Sequence, residues 1–349
     1  MDFQIAAILA LDGVANGAIY VLIALGTVLI FSVTRVIFVP FGDIAAFTAL
    51  SLAALQAREL PGTIWLVATL SLVALAMELV ELARRGRLAR WMRAVLHYGV
   101  LPLAPVALAA ALHRVALPMA VEIALALALV LPIAPLLNRI AFAPIASAPV
   151  LVLLIVAVAL HFAISGLGLL YFGPEGVRTR PLTDAIFDWG GVVVSGQTLL
   201  FVAASVAFSG LLALFFNQTL AGKALRATAV NRVGARLVGI RPTSASGLAF
   251  LLASALGGVS GVLIGPVTTM YYDSGFLIGL KAFVGAIIGG LVSYPLAMLG
   301  ALFVGQLESF ASFWNSALKE VVVFSALIPV LLWRSLASDH GEEEEEEEP

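Results

Sequence analysis

Long runs of apolar residues, separated by short polar or charged segments, dominate the chain. A helix needs about 20 mainly apolar residues to cross a bilayer. The apolar sequence between 279 and 313 is broken by Gly289-Gly290 and Pro295, which predicts two short crossings or one interrupted pair. Uninterrupted runs predict spanning helices over 12–33, 40–57, 62–82, 95–113, 117–137, 149–171, 197–216, 245–265 and 321–334. We therefore predict an all-α fold, a polytopic transmembrane helical bundle of about 10–11 crossings.

Composition agrees with this prediction. Hydrophobic residues make up 62% of the chain and charged residues 11%, against roughly 45–50% and 25% in soluble domains. So few charges cannot coat a solvated surface, which excludes a soluble globular, a disordered or a fibrous protein. The net charge of −2 gives no indication of a nucleic-acid partner.

The distribution of basic residues predicts how the chain is oriented, because cytoplasmic loops carry an excess of Lys and Arg. Alternating crossings place two clusters on one side, which we assign as cytoplasmic together with the C-terminus. That side holds Arg35, Arg84, Arg85, Arg87, Arg90, Arg93, Arg139, Lys223, Arg226, Arg232, Arg236, Arg241 and Arg334. The other side holds Arg58, Arg114, Arg178, Arg180 and Lys319, while Lys281 falls in or beside a span.

Two regions divide the chain. Residues 1–337 form the predicted transmembrane domain, and residues 338–349 form an acidic tail that contains seven adjacent glutamates. Adjacent like charges repel one another, so the tail is predicted to be disordered.

Catalytic signatures are absent from the sequence. It contains no phosphate-binding loop, no HExxH motif, no cysteine and only four histidines, none at ligand spacing. We therefore predict no enzyme activity, no catalytic residue, no metal and no cofactor.

Ionisable residues inside apolar spans are costly and are functional candidates. Glu78 and Glu81 end a span beside Arg84 and Arg85, which predicts local ion pairs.

Glycines four residues apart, including 257/261/265, 13/17 and 275/279, predict tightly packed helices. Interrupted helices are tolerated where they are buried or line a cavity, so a path for substrate is plausible near 281–295. Our candidates for the path are Asp43, Lys281, Gly285 and Gly289.

Two connecting segments allow alternative interpretations. In 217–243, residues recurring at three- and four-residue steps predict one short helix that ends at Gly239 and Pro242. Its basic residues could enforce topology, dock on another subunit, or do both. The segment 172–196 could be a connecting loop or a docking surface for an external partner.

Three stretches resemble permeases of branched-chain amino acid ABC transporters. They are NGAIYVLIALGTVLIFSVTRVIFVPFGDIAAFTAL (16–50), ALRATAVNRVGARLVGI (224–240) and GLKAFVGAIIGGLVSYPLAMLGALFVGQLESF (279–310), with FGPEG at 172–176 also matching. The family has Asn-Phe-Ala-His-Gly-Glu where this chain has Phe38-Val-Pro-Phe-Gly-Asp43. Relative to the usual permease, 58–115 resembles an insertion with two extra spans.

The resemblance implies a permease subunit of a type II ABC importer in the bacterial inner membrane. It implies a second homologous permease chain as heterodimer partner, two cytoplasmic ATPase subunits, an extracytoplasmic substrate-binding protein and surrounding lipid. ATP hydrolysis would lie on the separate ATPase chains. The residues implied at the ATPase contact are Arg226, Asn231, Arg232, Gly234, Arg236, Leu237 and Gly239.

The expected substrate is a branched-chain or other small amino acid. Within the same family, urea, short amides or aromatic acids are alternatives. Outside it, the alternatives are a secondary carrier that works without ATP, and a membrane scaffold without transport activity.

Overall fold

A computed structural model describes residues 3–86, 88–189 and 192–332. The described part of the chain contains fifteen α-helices and one antiparallel pair of β-strands, the hairpin, besides short 3₁₀- and π-helical segments and loops. In chain order they are α1 Phe3–Thr34, α2 Phe41–Gln56, α3 Thr63–Arg84, α4 Trp91–Ala94, α5 Leu101–Leu112, α6 Met119–Val130, α7 Ile133–Leu137, α8 Val150–Phe172, β1 Ile186–Trp189, β2 Val192–Ser195, α9 Gly196–Gln218, α10 Leu220–Val230, α11 Arg232–Leu237, α12 Pro242–Ile264, α13 Ser274–Ile288, α14 Tyr294–Trp314 and α15 Lys319–Ser325.

Several short helices join into longer rods. A π-helical segment, Val95–Val100, links α4 to α5, so that Trp91–Leu112 is one continuous apolar helix. Further π- and 3₁₀-helical turns extend α6 and α7 to Ile145. Counted this way, the described residues hold eight helices long and apolar enough to cross a membrane, and two shorter apolar ones, α2 and α13. The predicted all-α bundle is confirmed.

The region 279–313 is the interrupted pair that the sequence allowed. Helix α13 is short and ends at Ile288, whereas α14 has full spanning length. Between them the backbone reverses through Gly290 and Leu291, whose φ angles are 72° and 61°. The side chain of Ser293 then caps α14 by accepting from Leu296 N.

The last predicted span, 321–334, is not one continuous helix. Helix α15 ends at Ser325, and helical backbone resumes only over 327–332. Its final two residues and the acidic segment 338–349 lie outside the described residues.

Helix α1 is the centre of the bundle. It is apolar all round, as expected of a helix enclosed by others, and it packs against α14, α12, α13 and α9. Small residues bring it close to α14, because a Cβ at Gly17 would lie 2.9 Å from Leu302 Cα. Phe38, which follows α1, packs its ring on Phe142 and Phe250, with centroids 5.9 and 5.1 Å away.

Glycine stripes pack helices as predicted. A Cβ at Gly261 of α12 would overlap the carbonyl oxygen of Ala45 in α2. One at Gly42 of α2 would overlap the carbonyl oxygen of Gly275 in α13. The backbones of α2, α12 and α13 therefore approach more closely than side chains would permit.

The segment 172–196 is more ordered than a simple loop. It carries the antiparallel pair β1–β2, with Ile186 opposite Ser195. The Ser195 hydroxyl then caps α9 by accepting from Thr198 N at 3.2 Å. Upstream, the Arg180 guanidinium donates to the carbonyl oxygen of Gln56 at 2.7 Å, which ties the segment to the end of α2.

Two basic clusters, the first within 84–93 and the second within 223–241, lie at the opposite end of the bundle from the hairpin, as far as their residues are described. Arg139 joins the end of α3 through ion pairs with Glu78 at 2.7 Å and Glu81 at 2.5 Å. A few residues further on, the Ala146 carbonyl oxygen accepts from Arg232 of α11 at 3.2 Å. The predicted local pair Glu81–Arg85 is present at 2.6 Å, but Arg139 is a partner that sequence spacing did not indicate.

Candidate translocation path and docking surface

Lys281 lies in a buried ion network that joins four helices. Its ammonium pairs with Glu308 Oε1 of α14 at 2.5 Å and with Glu320 Oε1 of α15 at 3.1 Å. The hydroxyl of Tyr20 in α1 donates to the other Glu308 oxygen at 2.5 Å. Lys281, Glu308 and Tyr20 are each less than 10% exposed, so the ammonium compensates carboxylate charge in the bundle interior.

Sequence reasoning named Lys281 but not its partners. Tyr20 and Glu320 gave no signal, because one is an aromatic residue in an apolar helix and the other lies at a helix start. Glu308 carried a usable signal. A lone acid and a lone base in successive apolar helices are expected to pair when both face the bundle interior.

Asp43 forms a second, separate pair. The Asp43 carboxylate lies 2.7 Å from Nδ1 of His161 in α8, and both side chains are at most 5% exposed. The imidazole also stacks on Phe276 of α13 with ring centroids 4.6 Å apart. The structure therefore gives Asp43 and Lys281 different partners and does not pair them with each other.

Gly285 and Gly289 lie on the face of α13 that contacts α14. A Cβ at Gly285 would be 2.7 Å from Ala301 Cα, and one at Gly289 would overlap the Ala297 nitrogen. Their immediate role is close packing beside the break that follows α13.

Two cavities open at opposite ends of one groove along α1, α9 and α14. The hairpin-end cavity, of about 600 Å³, lies between the first half of α1, the start of α9 and the last turns of α14. The loop-end cavity, of about 640 Å³, lies between the second half of α1, the end of α9 and the start of α14. Both volumes are within the range of roughly 300–1,000 Å³ that small-molecule sites occupy.

Of the buried side chains of α9, Phe201 lines the hairpin-end cavity and Leu212 lines the loop-end cavity. Ser205, also buried, lies between them along the helix. At the loop end, the rings of Phe216 in α9 and Tyr294 in α14 are 5.2 Å apart.

The segment 217–243 forms two helices and not the single one predicted. Helix α10 ends at Val230, and the Asn231 side chain caps α11 by accepting from Gly234 N at 2.8 Å. Asparagine favours such caps over a helix interior, which is why the helix breaks at Asn231 although the three- and four-residue periodicity runs across it. Gly239, with φ 88°, ends the turn after α11, and Pro242 starts α12 instead of ending α11.

These two helices present large apolar side chains to the exterior. Val230, Leu237 and Val238 are 82%, 84% and 76% exposed. Arg236 is exposed beside them, whereas Arg232 is half-buried and bonded to Ala146. Burial, and the nearby charge of Arg236, lower the pKa of Arg232 below its ordinary value. An exposed patch of this kind is typical of a protein interaction site.

Each residue predicted for the ATPase contact lies in or beside this patch. Arg226 has a further contact away from the patch. Its guanidinium donates to the Asn217 side chain at 2.9 Å, and the residue lines the loop-end cavity. Within the described residues there is no group of three His, Cys, Asp or Glu side chains that could hold a metal ion.

Comparison with known proteins supplies the family. A profile described as branched-chain amino acid transport system / permease component matches residues 9–331. The high-affinity branched-chain amino acid transport system permease protein BraD of Pseudomonas aeruginosa is 34% identical over 206 residues, 57% of this chain and 67% of the relative. The corresponding LivH proteins of Salmonella typhimurium and Escherichia coli K12 are each 33% identical, over 56% of this chain and 66% of the relative.

No solved structure is significantly similar to the chain. The aligned parts span about two thirds of the curated relatives, and the profile covers nearly all of the described helices. The described residues hold eight helices of spanning length, and together with the family match they make the protein a multi-pass membrane protein and a transport subunit. The chain belongs to the family of permease components of branched-chain amino acid transport systems.

Proposed function

We propose that the chain is the membrane-spanning permease subunit of an ATP-driven importer in the bacterial inner membrane, with branched-chain or other small amino acids as substrate. The main support is the family match across 9–331. The substrate class is taken from the printed names of the relatives. The two cavities at opposite ends of the α1–α9–α14 groove fit a chain that admits a small molecule from either side in turn.

The distribution of basic residues assigns the loop end to the cytoplasm and the hairpin end to the exterior. In this orientation the hairpin-end cavity receives substrate from an extracytoplasmic binding protein. The C-terminus lies in the cytoplasm. The chain pairs with a second homologous permease, and 58–115 is an addition to the usual permease that contributes α3, α4 and α5.

The exposed patch on α10 and α11 is the proposed contact with the ATPase. An ATPase must reach the permease from the cytoplasm, and Val230, Leu237 and Val238 offer exposed apolar area there that docking would remove from water. Arg236 supplies charge at the same surface. ATP hydrolysis then takes place on two separate subunits, consistent with the absence of a phosphate-binding loop from this sequence.

Movement is proposed at the break between α13 and α14. Lys281, Gly285 and Gly289 sit on the helix that leads into it, and Asp43 lies where α2 packs on the start of α13. ATP-driven closure at α10 and α11 would shift these packed helices relative to one another and connect the two cavities.

Co-expression with the neighbouring genes tests the assembly. Native mass spectrometry of the detergent-solubilised complex should show this chain with one further permease and two ATPase subunits. Proteoliposomes containing it should take up labelled leucine, isoleucine or valine only with ATP. The matched control is the same complex with the phosphate-loop lysine of the ATPase replaced, which should bind but not transport.

Other outcomes would replace the proposal. Uptake that continues without ATP and follows a sodium or proton gradient identifies a secondary carrier. ATP-dependent uptake of urea, an amide or an aromatic acid, with no amino-acid uptake, keeps the family and changes the substrate. A chain that moves nothing and recruits no ATPase is a scaffold.

A further inference from the structure

The hairpin-end cavity holds two charged groups without charged partners. Asp12 of α1 and Lys319 at the start of α15 both line it. Among the residues that the structure describes, no ion pair joins either of them to another side chain. Glu308 also lines the cavity, but Lys281 and Tyr20 already bind its two oxygens. Asp12 is exposed and Lys319 is half-buried, so the cavity presents one anion and one cation that no charged side chain already binds.

A buried amide supplies a second, independent observation. Gln197, 7% exposed, lines the same cavity. Its Oε1 accepts from the backbone nitrogen of Leu182 at 3.1 Å, which fixes the orientation of the amide. Its Nε2 has no hydrogen-bond partner among the described residues. A buried donor left unpaired is destabilising, and an anionic ligand atom in the cavity would satisfy it.

Apolar side chains complete the cavity. Val193 of the hairpin, Phe201 of α9 and Phe313 of α14 line it beside the polar groups. A few placed polar groups within an apolar lining are typical of sites that fix the orientation of a small molecule.

We propose that the hairpin-end cavity binds a free zwitterion, an α-amino acid with an apolar side chain. Lys319 and Gln197 Nε2 donate to the carboxylate, Asp12 accepts from the ammonium group, and Val193, Phe201 and Phe313 contact the side chain. This site deepens the proposed function, because it is the place where a released amino acid first meets the permease.

The test pairs ligand truncation with side-chain truncation. The full-length chain, in nanodiscs of phosphatidylglycerol, is titrated with tritiated L-leucine, and competitors are added. L-Leucinol lacks the carboxylate and 4-methylpentanoate lacks the amine. Each should compete at least about tenfold more weakly than leucine against the wild-type chain, as the loss of a charged hydrogen bond requires.

The variants should remove those differences selectively. Lys319→Gln should weaken leucine binding about tenfold and reduce its advantage over leucinol by the same factor, while keeping its advantage over 4-methylpentanoate. Asp12→Asn should show the reverse pattern. Asp184→Asn is the control, because Asp184 is an exposed residue of the segment 172–196 that does not line the cavity. This variant should bind leucine as the wild type does. A variant that merely misfolds would weaken all three ligands equally.

Each remaining outcome rejects the site. The site is rejected if the wild-type chain does not bind leucine. It is also rejected if the affinity lost by truncating the ligand and the affinity lost by truncating its proposed side-chain partner are additive. Soluble phosphoethanolamine competing better than leucine would identify a lipid headgroup as the zwitterion instead. ATP-dependent leucine uptake by the whole complex, measured with the same variants, distinguishes failure of the proposed site from failure of the proposed importer function. Normal uptake in both variants rejects the cavity and leaves the importer intact, whereas no uptake by the wild type rejects the importer.

Discussion

Asp43 and His161 are 118 residues apart in the sequence and share a hydrogen bond of 2.7 Å in the interior of the bundle. One lies in the first turn of the short helix α2 and the other near the middle of α8. Asp43 Oδ1 has no further partner among the described residues. The imidazole is therefore what holds this carboxylate in an apolar interior, and it links α8 to the α2–α13 contact through Phe276.

Replacement of His161 by leucine should destabilise the protein strongly. It leaves the Asp43 carboxylate buried without its partner, for which roughly 3–5 kcal/mol is expected. Asp43→Asn should have a smaller effect, because the amide oxygen can still accept from the ring. Thermal unfolding of the purified chain in one detergent measures both changes.

Ser165→Ala, one helical turn further along α8, is the matched control for His161→Leu. The Ser165 hydroxyl is buried and has no partner among the described residues, so its removal should be neutral or slightly stabilising. Equal effects of Ser165→Ala and His161→Leu would show that the Asp43–His161 bond contributes nothing specific.

Lys281→Met should be among the most damaging single changes. It leaves Glu308 and Glu320 facing each other without the ammonium that separates them. Uncompensated buried charge is expected to destabilise by roughly 3–5 kcal/mol. The double variant Lys281→Met/Glu308→Gln should recover part of this loss, since the amide keeps an acceptor for Tyr20.

The control for Lys281→Met is Lys223→Met on α10, whose side chain is exposed. Its effect on unfolding should stay within about 0.5 kcal/mol. If the double variant proved as unstable as the sum of its parts, the ion network would not be the cause of the loss.

The sequence predicted the positions of the helices better than it predicted which helices become neighbours. The spanning helices followed from apolar runs alone, and α8 differs from its predicted range by one residue at each end. The buried network around Lys281 did not follow, because Tyr20 lies 288 positions from Glu308, the residue it donates to, and no local pattern joins them. Helix length could be read from composition, whereas the choice of neighbours depends on how α1, α13, α14 and α15 pack in three dimensions.

The loop 217–243 shows a second kind of limit to sequence reasoning. Periodicity indicated helix correctly on both sides of Asn231, yet the break itself depends on a hydrogen bond from Gly234 N to the asparagine side chain. Likewise the hairpin-end cavity was not predicted. Asp12, Gln197 and Lys319 belong to three separate elements and become a group only in the folded bundle.

Gly261→Ala should distort the contact between α12 and α2. The added methyl would overlap the carbonyl oxygen of Ala45, which is backbone and cannot rotate away. Overpacking of this kind is expected to destabilise by about 1–3 kcal/mol. Gly247→Ala, in the same helix, meets nothing within 4 Å and should be neutral or stabilising by up to about 1 kcal/mol. Parallel thermal unfolding of the two variants decides the point, and equal melting temperatures would contradict close packing at Gly261.

The docking surface on α11 can be tested by separating its two arginines. Arg236 is exposed, so Arg236→Glu should leave thermal stability unchanged and weaken ATPase co-purification at least about tenfold, as loss of a charged contact at an interface predicts. Arg232 also donates to Ala146, so Arg232→Glu should lower both docking and stability. Arg90→Glu, an exposed arginine of the first cluster, is the control for charge alone and should keep normal docking. ATPase recovery that falls equally in Arg90→Glu and Arg236→Glu would indicate a diffuse electrostatic attraction, and recovery unchanged in Arg236→Glu would place the ATPase elsewhere on the cytoplasmic face.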